Sequence, residues 1–200
     1  MLKTGVTGGI GSGKSVISRV FSTLGVPVYN ADEQAKKLVN EKNELQEAIG
    51  KEFGDEVWSG GKLNRKRLAS VVFNDPDALA RLNEIVHPAV ARHFKHWTEQ
   101  HTASPYIIKE SAILFESFTY RELDYVMLVV APEEIRIKRV MERDDTDAGS
   151  VRLRMINQWP DEKKNPLADK ILLNDGNNPL LEVLLGLHEK FSKGEKPQGD

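Results

Sequence analysis

The sequence predicts an α/β fold of three layers, with a mostly parallel sheet, an inserted helical substrate lobe over residues 31–102 and a lid segment over 143–165. Three observations lead there. Short apolar runs alternate with helical stretches along the chain, the pattern of strand and helix units that wind into a parallel sheet. Two long helical stretches, Ala31 to Phe53 and Asn64 to Gln100, follow one another with no strand-like run between them. Arg143 to Asn165 is dense in charge, as a solvated closing segment would be.

Leu2 to Thr7 has the length and character of a short buried strand, and after a glycine-rich turn Ser12 to Leu24 reads as a helix. Val26 to Tyr29 is a second apolar run, expected to lie beside the first strand through a right-handed crossover. Within the helical lobe, Asp75-Pro76 supplies an N-cap and a proline at the first helical position. Strand character returns at Tyr106 to Ile108 and at Tyr125 to Val130, after which Pro132, Glu133 and Glu134 open another helix with acids near the positive end of its dipole. Ile171 to Leu173 is a last short strand, a helix begins near Pro179, and Ser192 to Asp200 is expected to fray. The core of this single domain is therefore residues 1–30, 103–142 and 166–192.

Composition narrows the classes. Zero cysteines exclude disulfides, thiolate zinc sites and cysteine nucleophiles. A formal charge of -2 argues against nucleic-acid binding driven by net charge, while leaving room for local arginine clusters that hold a phosphorylated small molecule. No apolar run suggests a membrane span. Glycines interrupt the N-terminus before a signal-type stretch forms, so a cytoplasmic location is the expectation.

Gly8-Gly9-Ile10-Gly11-Ser12-Gly13-Lys14-Ser15 satisfies G-x-x-x-x-G-K-[ST] and lies between a predicted strand and a predicted helix, where a phosphate loop belongs. Its glycines let successive backbone N–H groups curl inward onto phosphate oxygens, and the helix N-terminus adds positive potential. The fold is thereby the P-loop NTPase fold. Gly8 through Ser15 with Val16 are the candidate ATP-binding residues. Lys14 reaches the β- and γ-phosphates and Ser15 is the candidate magnesium ligand. No Asn-Lys-x-Asp run that would read guanine is present, which counts against a GTPase-type switch.

Read with Ala31-Asp32, the loop resembles the dephospho-CoA kinase family. Further matches are Leu63 to Phe73, Leu82-Asn83-Glu84-Ile85-Val86-His87-Pro88, Leu114-Phe115-Glu116, Arg139, Arg143-Asp144, Arg154 with Gln158, Ala168-Asp169 and Asn174. The departures are Asn30 where the family often has aspartate, Val16 where threonine is common, and Ser111-Ala112 in place of a proline-led segment.

The resemblance implies transfer of the γ-phosphoryl group of ATP, with Mg²⁺, to the ribose 3′-hydroxyl of dephospho-CoA. The architecture alone would also serve another nucleotide or small-metabolite acceptor. The resemblance casts Asp32 as the group that orients or deprotonates the acceptor hydroxyl, although an aspartate there would also serve as a helix N-cap. Arg139 and Arg143, four residues apart on one helical face, would cover the phosphates or adenine when the lid closes, or else pair with Glu142 and Asp144 in solvent. Asn83 and His87 share a helical face and are candidate substrate contacts, with a proline kink as the alternative for His87-Pro88. Glu110, at the end of a strand-like run, is either an acid that orients magnesium-bound water or an ordinary exposed glutamate. His93 and His96 lack a third metal ligand, and Trp58, Trp97 and Trp159 read as packing residues.

Overall fold

The computed structural model describes residues 1–72 and 75–197. Phe73, the end of the Leu63 to Phe73 match, and the last three residues of the expected frayed tail lie outside them. In chain order the elements are β1 (Leu2–Thr7), α1 (Lys14–Thr23), β2 (Val28–Asn30), α2 (Ala31–Glu41), α3 (Asn43–Phe53), β3 (Trp58–Ser59), β4 (Lys62–Leu63), α4 (Arg65–Val72), α5 (Pro76–Glu99), β5 (Tyr106–Glu110), β6 (Tyr125–Val130), α6 (Glu133–Asp144), α7 (Ala148–Ile156), α8 (Asp161–Lys164), β7 (Lys170–Leu173) and α9 (Leu180–Ser192). They form two compact units, residues 1–30 with 101–200, and residues 31–100.

The first unit is built on a five-stranded sheet of order β2-β5-β1-β6-β7, parallel at every pairing. β6, Tyr-Val-Met-Leu-Val-Val, shows why such a sheet forms: every position but the last is buried, so both of its faces are apolar. Tyr125, Met127 and Val129 join Val6, Ile17, Phe21, Tyr106, Leu184 and Phe191 in a core beneath α1 and α9. Val126 and Leu128 turn to the opposite face and pack with Leu114, Phe115 and the partly buried Trp159. Ile137, Val140 and Val151 join α6 to α7, with Ile10 packed against them.

The expected pairing of the first two strands is not what forms. β1 sits at the centre between β5 and β6, and β2 pairs with β5 instead. A central strand must be paired along both edges, and β5 and β6 offer five- and six-residue runs, whereas β2 offers three. β2 also starts later than expected, at Val28, because Pro27 has no N–H for the ladder; its carbonyl still accepts Ile108 N–H at 2.9 Å.

The second unit corrects the reading of two helical stretches without a strand between them. Gly60 and Gly61, at φ 57° and 74°, turn Trp58–Ser59 back onto Lys62–Leu63 as an antiparallel hairpin, the two-residue turn that requires positive φ at both central positions. The first stretch divides at Lys42, which is extended (φ −103°, ψ 109°), and Gln46 Nε2 donates to the Asn40 carbonyl at 2.8 Å. The second divides before α5, whose N-cap Asp75 accepts from Asp77 N–H and Ala78 N–H at 2.9 and 3.1 Å. α5 then runs unbroken through Pro88. Leu38, Leu45, Ile49, Val57, Leu68, Val90 and Phe94 are buried in this unit. Among the described residues, no helix is long and apolar enough to cross a membrane.

Candidate active site

The loop from Gly8 to Ser15 leaves the C-terminal end of the central strand β1, the place where an open parallel sheet offers its crevice. Two glycines are required by what lies against them. Gly11 has φ +78°, and a Cβ there would stand 2.9 Å from the Cα of Arg136. Gly13, at φ +99°, is the left-handed N-cap of α1, and its missing Cβ leaves the space taken by the Asn174 amide. Ser12 N–H closes a turn on the Gly9 carbonyl at 3.1 Å, and Val16 N–H bonds Gly13 at 3.0 Å.

Lys14 Nζ donates to the carbonyls of Gly8 and Gly9 at 2.8 and 3.2 Å, which holds the ammonium within the loop's own bend. Asn174, just after β7, donates from Nδ2 to the Ser12 carbonyl at 2.8 Å. Its Oδ1 accepts from Arg139 Nη2 at 3.4 Å. Arg139 Nη1 lies 3.8 Å from the Cβ position of Gly13, is buried, and has no hydrogen-bond partner among the described residues. A buried guanidinium N–H aimed at a phosphate loop and left unpaired is costly unless an anion is to meet it. The loop, Lys14 and Arg139 thus converge on one spot suited to a polyphosphate.

Arg143 does not join them. It donates to Asp144 at 2.7 and 3.0 Å from the end of α6, and Arg154 on α7 donates to the same carboxylate at 2.7 Å. The hydrogen bond from Arg143, aided by Arg154 and opposed by partial burial, holds the Asp144 carboxyl down at about 2. The cluster therefore stays ionised across the neutral range. Arg136, which the sequence did not single out, also reaches the loop: its Nε donates to the Ile10 carbonyl at 3.0 Å. It stands three residues before Arg139 on the same face of α6, and that spacing is the signal that would have found it. Gln158 Oε1 accepts the Ile10 N–H at 2.8 Å.

The sequence comparisons agree with this geometry. The dephospho-CoA kinase family matches residues 2–179. The chain belongs to that family. It is 40% identical over 186 residues to a dephospho-CoA kinase of Bacteroides fragilis, covering 93% of this chain and 91% of the relative. A crystal structure from Thermus thermophilus superposes with a TM-score of 0.82 at 33% identity over 98% of each chain. A dephospho-CoA kinase from Campylobacter jejuni does so with a TM-score of 0.69 at 27% identity, over 96% and 98% of the two chains.

Of the remaining candidates, Glu110 is not an ordinary exposed glutamate. It is 7% exposed at the end of β5 and accepts from Asn30 Nδ2 at 3.4 Å. Asn30, where other dephospho-CoA kinases often carry aspartate, therefore presents a donor to a carboxylate that an aspartate would repel. Ser15 and Val16 are exposed at the start of α1. In the second unit, Asp32 is in the first turn of α2 and so is not its N-cap; half-buried there, it favours the helix dipole. Asn83 and His87 are both half-buried, one turn apart on α5.

Gly11→Ala tests the loop's dependence on its backbone. A left-handed alanine costs about 1–2 kcal/mol, so Tm should fall by roughly 2–8 °C. Nucleotide affinity, read by calorimetry with ADP, should fall with it, because the backbone of Arg136 leaves the new methyl no room. Unchanged Tm and affinity would contradict the close approach.

Proposed function

We propose that the chain transfers the γ-phosphoryl group of ATP to the ribose 3′-hydroxyl of dephospho-CoA, giving coenzyme A. The observation that carries the reading is the convergence of the Lys14 ammonium and the unpaired, buried Arg139 Nη1 on the phosphate loop, in a chain of this family. In a loose transition state charge spreads over the oxygens of the moving group, so catalysis is alignment plus positive charge. Lys14 and the amides from Gly9 to Ser15 hold the donor phosphates, and Arg139 neutralises the charge that builds between donor and acceptor. Asp32 orients the acceptor hydroxyl and takes its proton, while Asn83 and His87 contact the acceptor.

Magnesium fits the oxygen donors available. The Ser15 hydroxyl and phosphate oxygens suit a hard cation, which Ser15 would ligate and Glu110 on β5 would help to orient. Bound there, it would supply charge neutralisation to the donor phosphates. Arg143 belongs to the lid, where release from Asp144 frees it to meet the nucleotide. We place the activity in the cytoplasm, with small molecules and not nucleic acid as ligands.

The test is an acceptor panel. With ATP and magnesium, dephospho-CoA should be phosphorylated, while AMP, CMP, shikimate and gluconate should not. Turnover confined to one of those others would reassign the substrate. Replacing ATP by GTP separates a kinase from a guanine-nucleotide switch: tight GTP binding without acceptor-dependent turnover would remove the kinase reading.

A further inference from the structure

We propose that Glu116 is a positioning residue for the phosphate loop and acts through the turn at Gln158–Trp159. The proposal rests on the kinase reading, because it concerns how the nucleotide cradle is held in shape. Glu116, in the segment after β5, has a side chain only 13% exposed. Its Oε1 accepts the Trp159 N–H at 3.0 Å and lies 2.9 Å from Nζ of Lys164, which is fully buried.

A buried ion pair of this kind is weak evidence for stability, since apolar residues of similar volume commonly serve as well. What an apolar pair would not do is accept a main-chain N–H. Fixing the Trp159 amide fixes the residue beside it, Gln158, whose Oε1 accepts the Ile10 N–H at 2.8 Å. The Ile10 carbonyl is held from α6 by Arg136 Nε at 3.0 Å. Arg136 Nη1 in turn lies 3.4 Å from Asp161 Oδ2, on α8 with Lys164. Both polar backbone atoms of Ile10 are therefore tied, through Gln158 and Arg136, to the single segment 158–164, and Glu116 with Lys164 anchors that segment to the turn after β5.

A phosphate cradle binds well only if its amides are aimed before the ligand arrives. Loosening the Ile10 peptide removes part of that preparation at the scale of one hydrogen bond, roughly a three- to tenfold loss of nucleotide affinity.

Two double variants of similar core volume isolate the contact. E116Q/K164M removes both charges and keeps an oxygen for the Trp159 N–H, whereas E116L/K164M removes that oxygen too. Calorimetry with ADP should find the first variant close to the unaltered chain and the second about three- to tenfold weaker. Gln158→Ala should weaken ADP binding by a similar factor, and adding it to E116L/K164M should cost nothing more, because both act on one peptide.

Equal ADP affinity of the two double variants at matched Tm would overturn the proposal, as would multiplicative loss on adding Gln158→Ala. Unchanged binding in Gln158→Ala alone overturns it even if a pair variant fails to fold. Absence of ADP binding by the unaltered chain would instead overturn the kinase reading, and the proposal with it.

Discussion

Lys14→Ala is expected to reduce phosphoryl transfer by at least about 10²–10³-fold, the scale seen when one preorganised donor to a transition-state charge is removed. The expectation follows from where the ammonium is held. Nζ lies 2.8 Å from the Gly8 carbonyl and 3.2 Å from that of Gly9, inside a bend whose remaining groups are neutral amides. On the proposed mechanism, the β- and γ-oxygens of an entering nucleotide would take the place of those carbonyls around the ammonium. Arg139 remains in the variant, but its guanidinium is tied to Asn174 and approaches from the Gly13 side. One cation does not replace the other. Arginine at position 14 should rescue poorly, since a planar fork does not fit a space shaped for a compact ammonium. Single-turnover rates with ATP and dephospho-CoA provide the measurement, and Tm shows whether the loop has kept its fold. Transfer within tenfold of the unaltered chain would remove Lys14 from the mechanism.

How far the residues themselves disclose this site depends on the range of the contacts involved. The phosphate loop is legible because its chemistry is local: consecutive glycines, a lysine and a serine between a strand and a helix meet the requirement without help from elsewhere. β6 is legible too, since a run of six apolar residues, five of them buried across both faces, is a local pattern. The hairpin at Gly60-Gly61 is equally local, but helical periodicity on either side of it masks its turn. Sheet order is different. Nothing in Val28–Asn30 states that β5, more than seventy residues later, will intervene between it and β1. The same distance hid the loop's supports. Gln158 and Asn174 were noticed only through the family resemblance, and their partners Ile10 and Ser12 lie 148 and 162 residues away. Helical spacing and the family resemblance both pair Arg143 with Arg139, but an arginine beside an aspartate at a helix end meets that carboxylate first, the alternative that the sequence also offers.

Asp32→Asn should lower kcat by about 10²–10⁴-fold, the range for a positioned general base, while ATP affinity stays within about threefold of the unaltered chain. The two constants part because the carboxylate is proposed to act on the acceptor and the loop on the donor. Asparagine keeps the size of aspartate and one acceptor oxygen in the first turn of α2 and loses its charge. The helix gives up roughly 0.3–1 kcal/mol of dipole interaction, too little to unfold the unit. Position 30 sharpens the test. Where the family often has a second aspartate, this chain has Asn30, whose amide already donates to Glu110 at 3.4 Å. Position 30 itself therefore supplies no carboxylate with which to replace Asp32. Asn30→Asp would set two carboxylates against each other at the end of β5, so it should not restore turnover to Asp32→Asn and should disturb magnesium dependence instead. If kcat stays near normal, or if ATP affinity and kcat fall together, Asp32 is a structural acid of α2 and the base lies elsewhere.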